Sequence, residues 1–288
     1  MAILKRLFTL TWKSITVGVA FMAAQMLAGM LLGLLGLIRV DSSQGSGMLG
    51  WMFLAAMVMG LTLGVIAEKI NARFIDHTVI WGCIIFLNLG SVMLEGAYFA
   101  PELVTMPVPV LLVQQFLVSI LTALAVSLLF APRPFAQPEF PAPFKKNRFG
   151  FIWRFLLCAF VYVVCYYVFG SLNYSLVTRP YYETHAGGLA VPPALTVLIV
   201  ELIRAPLIVL SLVPFLIFNK AARKQNAVNT GLILFLIGGV VPLLFQAGSL
   251  PVVLLVASGV EIFLQNFTTG FVSGWMLGGT SGGNFPAQ

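Results

Sequence analysis

Glu201 and Arg204 stand three residues apart in "VELIRAP", inside a run of otherwise apolar residues. That spacing puts both side chains on one helix face, where they can pair. Ser211 extends the same face. Pro206 cannot donate to the carbonyl of Leu202, which leaves a backbone acceptor beside the charges and bends the helix. A second polar set lies near the C-terminus. Ser258, Glu261, Gln265, Thr268 and then Thr269 or Val272 follow the 3,4 spacing of one helical stripe, with Val256, Val260, Phe263, Phe267 and Phe271 on the other side. Polar groups in a bilayer are costly, so such a stripe must turn away from lipid. The expectation is that it faces Arg204.

Depth supports this grouping. Counting ~1.5 Å per helical residue puts Glu201, Arg204 and Glu261 ~13–18 Å below the outer ends of their spans. Asn88 and Gln25 fall at similar depth. One arginine between two glutamates leaves a surplus negative charge, so either a carboxyl is protonated or a cation or proton visits. Glu201, Arg204, Glu261, Gln265 and Asn88 are therefore the expected mid-membrane site. Arg204 would hold an anionic group or be released from a glutamate that protonates, and Glu261 would be the titrating partner. Glu95, Gln114, Gln115 and Gln246 lie nearer the outer side and are the expected vestibule. The plain alternative is that these groups only bond helices together and the charged cluster only fixes which helices meet.

Soluble enzyme chemistry finds little footing. His77 and His185 fall on opposite sides and cannot share a metal, and no HExxH or GxxxxGK[ST] is present. "GTSG" at 279–282 ends the chain without a following helix to shape an oxyanion hole. Cys83, Cys158 and Cys165 lack CxxC spacing and read as small buried hydrophobes. No cofactor is expected.

The elements that would position these residues follow from composition. The 288 residues are 60% hydrophobic and 9% charged, against about 25% charged in a soluble domain. Eight apolar runs, at 14–38, 50–68, 78–98, 108–130, 151–171, 192–218, 229–247 and 251–278, approach or exceed the ~20 residues that cross a bilayer. The first is too long for a cleaved signal and has no small-x-small end. "MAILKRLFTLTWK" before it is expected to lie along the interface, with Lys5, Arg6 and Lys13 reaching headgroups. Gly29, Gly33 and Gly36 in span one, and Ala56, Gly60 and Gly64 in span two, mark packing faces. Gly238, Gly239 and Pro242 interrupt span seven and free the carbonyl of Gly238, as in spans that expose backbone to a solute or in ordinary kinked helices.

With the N-terminus inside, only Arg39 and Arg179 fall outside and Arg204 within the membrane; every other Lys and Arg falls inside. The positive-inside rule thus puts both termini in the cytoplasm. The net charge of +7 reads as topology and contact with anionic lipid headgroups, not as a nucleic-acid partner. Trp12, Trp51, Trp81, Trp153 and Trp275 all read as interface anchors near span ends.

"APRPFAQPEFPAPFKKNR", 131–148, carries five prolines and four basic residues and reads as an extended cytoplasmic linker. It separates halves 1–130 and 149–278, with 279–288 a Gly-rich tail. "LTWKS" and "FIWRF" open the halves, "PVLLV" and "PVVLLV" open their last spans, and "EKINARF" and "NKAARKQ" are matching inner loops. These likenesses read as a duplication or as the plain periodicity of any polytopic protein; with four spans per half, a duplication would give both halves one orientation, a parallel 4+4 repeat. The expected protein is an all-α, polytopic integral membrane protein of eight transmembrane helices in a prokaryotic plasma membrane. The leading function is a permease for a small solute or ion. A membrane scaffold or accessory subunit, and an intramembrane enzyme using glutamates as acid and base, are the alternatives.

Overall fold

The computed structural model describes residues 2–37, 46–99, 106–131, 148–185 and 189–278. Nearly all of the proline-rich linker, the Gly-rich tail and Arg39 lie outside these residues. The described chain is helical, without strands, and eight helices are long and apolar enough to span a membrane. The protein is a multi-pass helical membrane protein.

The first four helices are α1 (Ala2–Leu34), α2 (Ser46–Ala67), α3 (Phe74–Phe99) and α4 (Val108–Phe130). Helix α5 runs through Arg148–Asn173, a π-helical turn Tyr174–Thr178 and a last turn Arg179–Glu183. Helix α6 is Ala194–Phe218, with Pro206 and Pro214 inside it. Helix α7 is Arg223–Phe235, a π turn Leu236–Val240, then Val241–Phe245. Helix α8 is Val252–Ile262, a π turn Phe263–Phe267, then Thr268–Leu277.

One expectation about the first helix changes. The leading segment is no separate interfacial stretch; it continues straight into the span, because nothing between Ala2 and Ser14 breaks a helix. At 33 residues α1 is about 50 Å long, well beyond the ~30 Å hydrocarbon core. Two of its cations have partners within the protein. Arg6 pairs with Glu68 at 3.0 Å. Lys13 donates to the Leu129 carbonyl at 2.5 Å and lies 5.1 Å from the Phe130 ring centroid, satisfying an end carbonyl of α4.

Small residues set the tightest helix pairs, as lipid offers no hydrophobic drive between helices. Helix α2 seats Gly60 and Gly64 on Ser14 of α1, where a Cβ at either position would overlap it. Helix α8 seats Gly270 and Gly274 on Thr230 of α7 in the same way. Gly29 meets nothing, so the α1 packing face is Ser14 and Gly18 rather than the expected Gly29 row. Helix α1 also packs on α4, α3 on α4 and α6, α2 on α7, and α5 on α6 and α8.

Trp81 overturns its assignment as an interface anchor. It is fully buried, donates to His77 Nδ1 at 3.1 Å, and its ring lies 6.4 Å from that of Phe215 of α6, tilted by 51°. Helix α3 starts at Phe74, four residues earlier than the apolar run, so Trp81 lies two turns inside it. Trp12, Trp51, Trp153 and Trp275 remain exposed to the surroundings of the bundle.

Candidate functional site

Helices α3 and α6 run antiparallel, and three contacts mark their register. Trp81 meets Phe215, Asn88 Nδ2 donates to Ser211 Oγ at 2.9 Å, and Glu95 meets Arg204. Beyond them the Ala190 N–H donates to the Phe99 carbonyl at 2.9 Å, tying the lead-in to α6 against the end of α3.

Arg204 is 4% exposed and holds two carboxylates. Nη1 reaches Glu201 Oε1 at 2.6 Å, and Nη2 reaches Glu95 Oε2 at 2.8 Å. Glu201 is fully buried. The guanidinium also lies 5.9 Å from the ring centroid of Tyr162 on α5. The i,i+3 pair thus forms as the spacing implies, but its third member is Glu95, not Glu261. Side chains on a helix lean toward its N-terminus. On antiparallel helices Arg204 and Glu95 therefore lean toward each other. Counting depth along the backbone alone kept them apart.

Glu261 is held elsewhere. Asn173 Nδ2 of α5 donates to its Oε2 at 2.5 Å, and no cation lies in ion-pair range of it among the described residues. Its Oε1 packs on Gly170, where a Cβ would sit 3.1 Å away. The α8 stripe therefore faces α5 and a cavity rather than forming contacts with Arg204.

That cavity, of about 430 Å³, joins the two groups. Its wall runs from helix ends, at Phe99, Tyr182 and Leu250, down to Arg204, Gly238 and Asn266. Glu95, Arg204 and Glu261 are its charged residues. Helices α3, α5, α6, α7 and α8 build it. Below Arg204 the Asn88–Ser211 hydrogen bond and the Trp81–Phe215 contact pack α3 on α6, and none of these four residues lines the cavity.

Of the remaining expected residues, Gln265 and Gln246 line the cavity. Asn88 is buried beneath it. Gln115 is buried and Gln114 half-buried on α4, which contributes no lining residue among those described, and Gln25 on α1 is likewise outside the wall.

Two features escaped the sequence reading. The first is a tyrosine row. Tyr162, Tyr166, Gly170, Tyr174, Thr178 and Tyr182 recur every fourth residue of α5, and all line the cavity. The spacing was there to read as a helix face. On an ideal α-helix such a row drifts about 40° per step, and the wider π turn at Tyr174–Thr178 removes the drift where it would leave the wall. The second is that all three π turns among the described residues contribute to the wall. They supply Tyr174 and Thr178, then Gly238 and Gly239, then Gln265 and Asn266. Each inserts one residue and re-aims the side chains beyond it. Asn266, off the 3,4 stripe, thereby comes inward and donates to the Leu234 carbonyl at 3.2 Å.

The interruption expected at Gly238 and Gly239 is the π turn of α7. A Cβ on Gly238 would fall 2.8 Å from Asn88 Oδ1, so the glycine admits α3 closely. No known family model, curated protein or solved structure matches the chain.

Proposed function

We propose that the protein is a permease for a small solute or ion, and that the cavity is its substrate site. The observation that carries this is a cavity whose wall runs from helix ends to Arg204, with its partner Glu95, and to Glu261. A polar cavity lined from one end of a bundle toward its middle suits a site of alternating access. π turns and glycines at the wall place backbone and polar side chains where a solute would pass.

The same proposal includes a 4+4 repeat. Exchanging the halves maps α3 onto α7 and α6 onto α2, and both the α3–α6 and the α2–α7 pairs are in contact. The close-packed pairs α3–α4 and α7–α8 also exchange. Such a relation gives two bundles that can rock about an axis along the membrane normal. Cytoplasmic termini, from the distribution of Lys and Arg, would make the cavity outward-facing.

The test is reconstitution in proteoliposomes with a panel of amines, amino acids, sugars, carboxylates and inorganic ions. At least one should enter faster than into empty liposomes. Glu261→Gln should abolish that flux while thermal stability in detergent stays near the parent's, since the Asn173 bond survives. A variant that melts early yet retains flux in its folded fraction rejects the site. Absence of flux for the whole panel favours a scaffold whose cluster only fixes packing.

A further inference from the structure

We infer that the cavity's ligand is a small organic cation, an ammonium group with an apolar body, held by Glu261 against the tyrosine wall. This rests on the permease reading for its place in transport, though not for the binding itself.

The charges come first. Arg204 is the one cationic residue of the wall, and it is already engaged by Glu95 and Glu201. Among the described residues, Glu261 has only the neutral amide of Asn173. An isolated carboxylate in a membrane protein is costly unless protonated or matched by a cation. An anion entering this cavity would meet the carboxylates of Glu95 and Glu261 and a guanidinium whose charge is already matched by Glu95 and Glu201, with only its buried Nε–H unpartnered, so like-charge repulsion disfavours it.

The walls come second. Five of the chain's seven tyrosines, Tyr162, Tyr166, Tyr167, Tyr174 and Tyr182, line the cavity. Aromatic faces attract cations, and quaternary ammonium sites are built from several such rings. The wall already holds one cation in this way, Arg204 near Tyr162. Tyr174 and Tyr182 lie 5.8 Å apart with their planes inclined by 55°.

Size comes third. About 430 Å³ suits a small organic molecule. A dehydrated inorganic cation needs a shell of several oxygen ligands, whereas most of this wall is rings and aliphatic side chains.

The experiment is titration calorimetry on the purified full-length protein in detergent. The probes are choline and benzylammonium, each set against a neutral isostere, 3,3-dimethylbutan-1-ol and benzyl alcohol, with benzoate as the anion. At least one cation should bind about tenfold or more tighter than its isostere, and benzoate should be weakest. Glu261→Gln should remove that preference. Because that variant could unfold, Tyr174 supplies a second arm. Tyr174→Phe keeps the ring and should hold affinity within about threefold, while Tyr174→Leu should weaken the cation by about fivefold or more, in the range of a cation–π contact. Cations no tighter than their isosteres, benzoate binding best, or Phe and Leu behaving alike would overturn the inference. Proteoliposome flux separates the two readings. A cation that binds but never crosses sinks the permease and leaves the site, whereas flux of sugars or carboxylates with indifference to both cations does the reverse.

Discussion

Arg204 and Glu95 meet at 2.8 Å although one lies mid-way along α6 and the other a turn from the end of α3. Their helices are antiparallel and each side chain leans toward its own N-terminus. The contact makes Arg204 the shared counter-charge of two carboxylates contributed by different helices. It therefore couples the position of α3 to that of α6 just above the Asn88–Ser211 bond.

The first prediction concerns that cluster. Arg204→Met leaves Glu201, with no exposed surface, without a counter-charge. Breaking a buried pair from one side costs about 3–5 kcal/mol. Glu95→Gln leaves the Arg204–Glu201 pair intact and should cost clearly less. Thermal melts in detergent should rank the parent first, Glu95→Gln next and Arg204→Met last. Arg204→Lys should fall between the parent and Arg204→Met, because the ammonium keeps a counter-charge for Glu201 but loses the fork of two guanidinium nitrogens that now reach separate carboxylates. A lysine variant as stable as the parent would mean the two-sided geometry contributes nothing.

A second prediction separates glycines that look alike in sequence. Gly270→Ala places a methyl against the Thr230 backbone on the facing helix, which cannot retreat without moving α7. Overpacking of this kind costs about 1–3 kcal/mol. Gly29→Ala meets nothing and improves helix propensity, so it should be neutral or slightly stabilising. Fluorescence-detected gel filtration after a heat step checks both. Equal behaviour would remove the claim that α7 and α8 owe their approach to Gly270.

A third prediction concerns the π turn of α8. Deleting Leu264, which points outward from the bundle, should convert the π turn to regular α-helix and leave the phase beyond it nearly unchanged, because the five residues of the turn rotate the chain about as far as four α-helical ones, ~400°. Thr269, Gly270, Ser273 and Gly274 would then stay on α7. Inserting an alanine after Phe267 instead turns everything beyond it by about 100° and takes them off α7. The deletion should elute from gel filtration as the parent does and the insertion as aggregate. A deletion variant that aggregates while Leu264→Ala behaves as the parent would show that the π turn does not absorb the extra residue.

Much of the fold was legible because its signals are local. Apolar length marks eight helices, and i,i+3 spacing places Glu201 beside Arg204. What escaped depends on three-dimensional lean and phase. Glu95 passed for an outer, wetted residue because depth counted in residues locates Cα, while the ion pair forms several ångströms away at the side-chain tips. Asn266 passed for off-stripe because a 3.6-residue period has no place for an inserted π residue. Trp81 passed for a membrane anchor because the polar start of α3, with Asp76 and His77, reads as loop. There His77 accepts from Trp81, and its Nε2 lies 3.2 Å from the Ile70 carbonyl, so both rings are buried with partners.

The fourth prediction tests whether water reaches the cavity, and from which side. With Cys83, Cys158 and Cys165 replaced by alanine or serine, single cysteines are introduced along the wall and beneath it. Tyr182→Cys and Leu250→Cys sit at the helix-end part of the wall, Ser258→Cys deeper, and Ser211→Cys below Arg204 in the packed layer. A charged, membrane-impermeant methanethiosulfonate reagent should modify the first two quickly, Ser258→Cys more slowly, and Ser211→Cys not at all. If the termini are cytoplasmic, intact cells should show this order and sealed inside-out vesicles should protect all four. The cationic reagent should modify Ser258→Cys faster than its anionic counterpart, because Glu95 and Glu261 line the approach and Arg204 is already engaged. Labelling of Ser211→Cys from the opposite side would place an opening where the structure packs Trp81 on Phe215. Equal rates for both reagents would remove the electrostatic preference on which recognition of a cation depends.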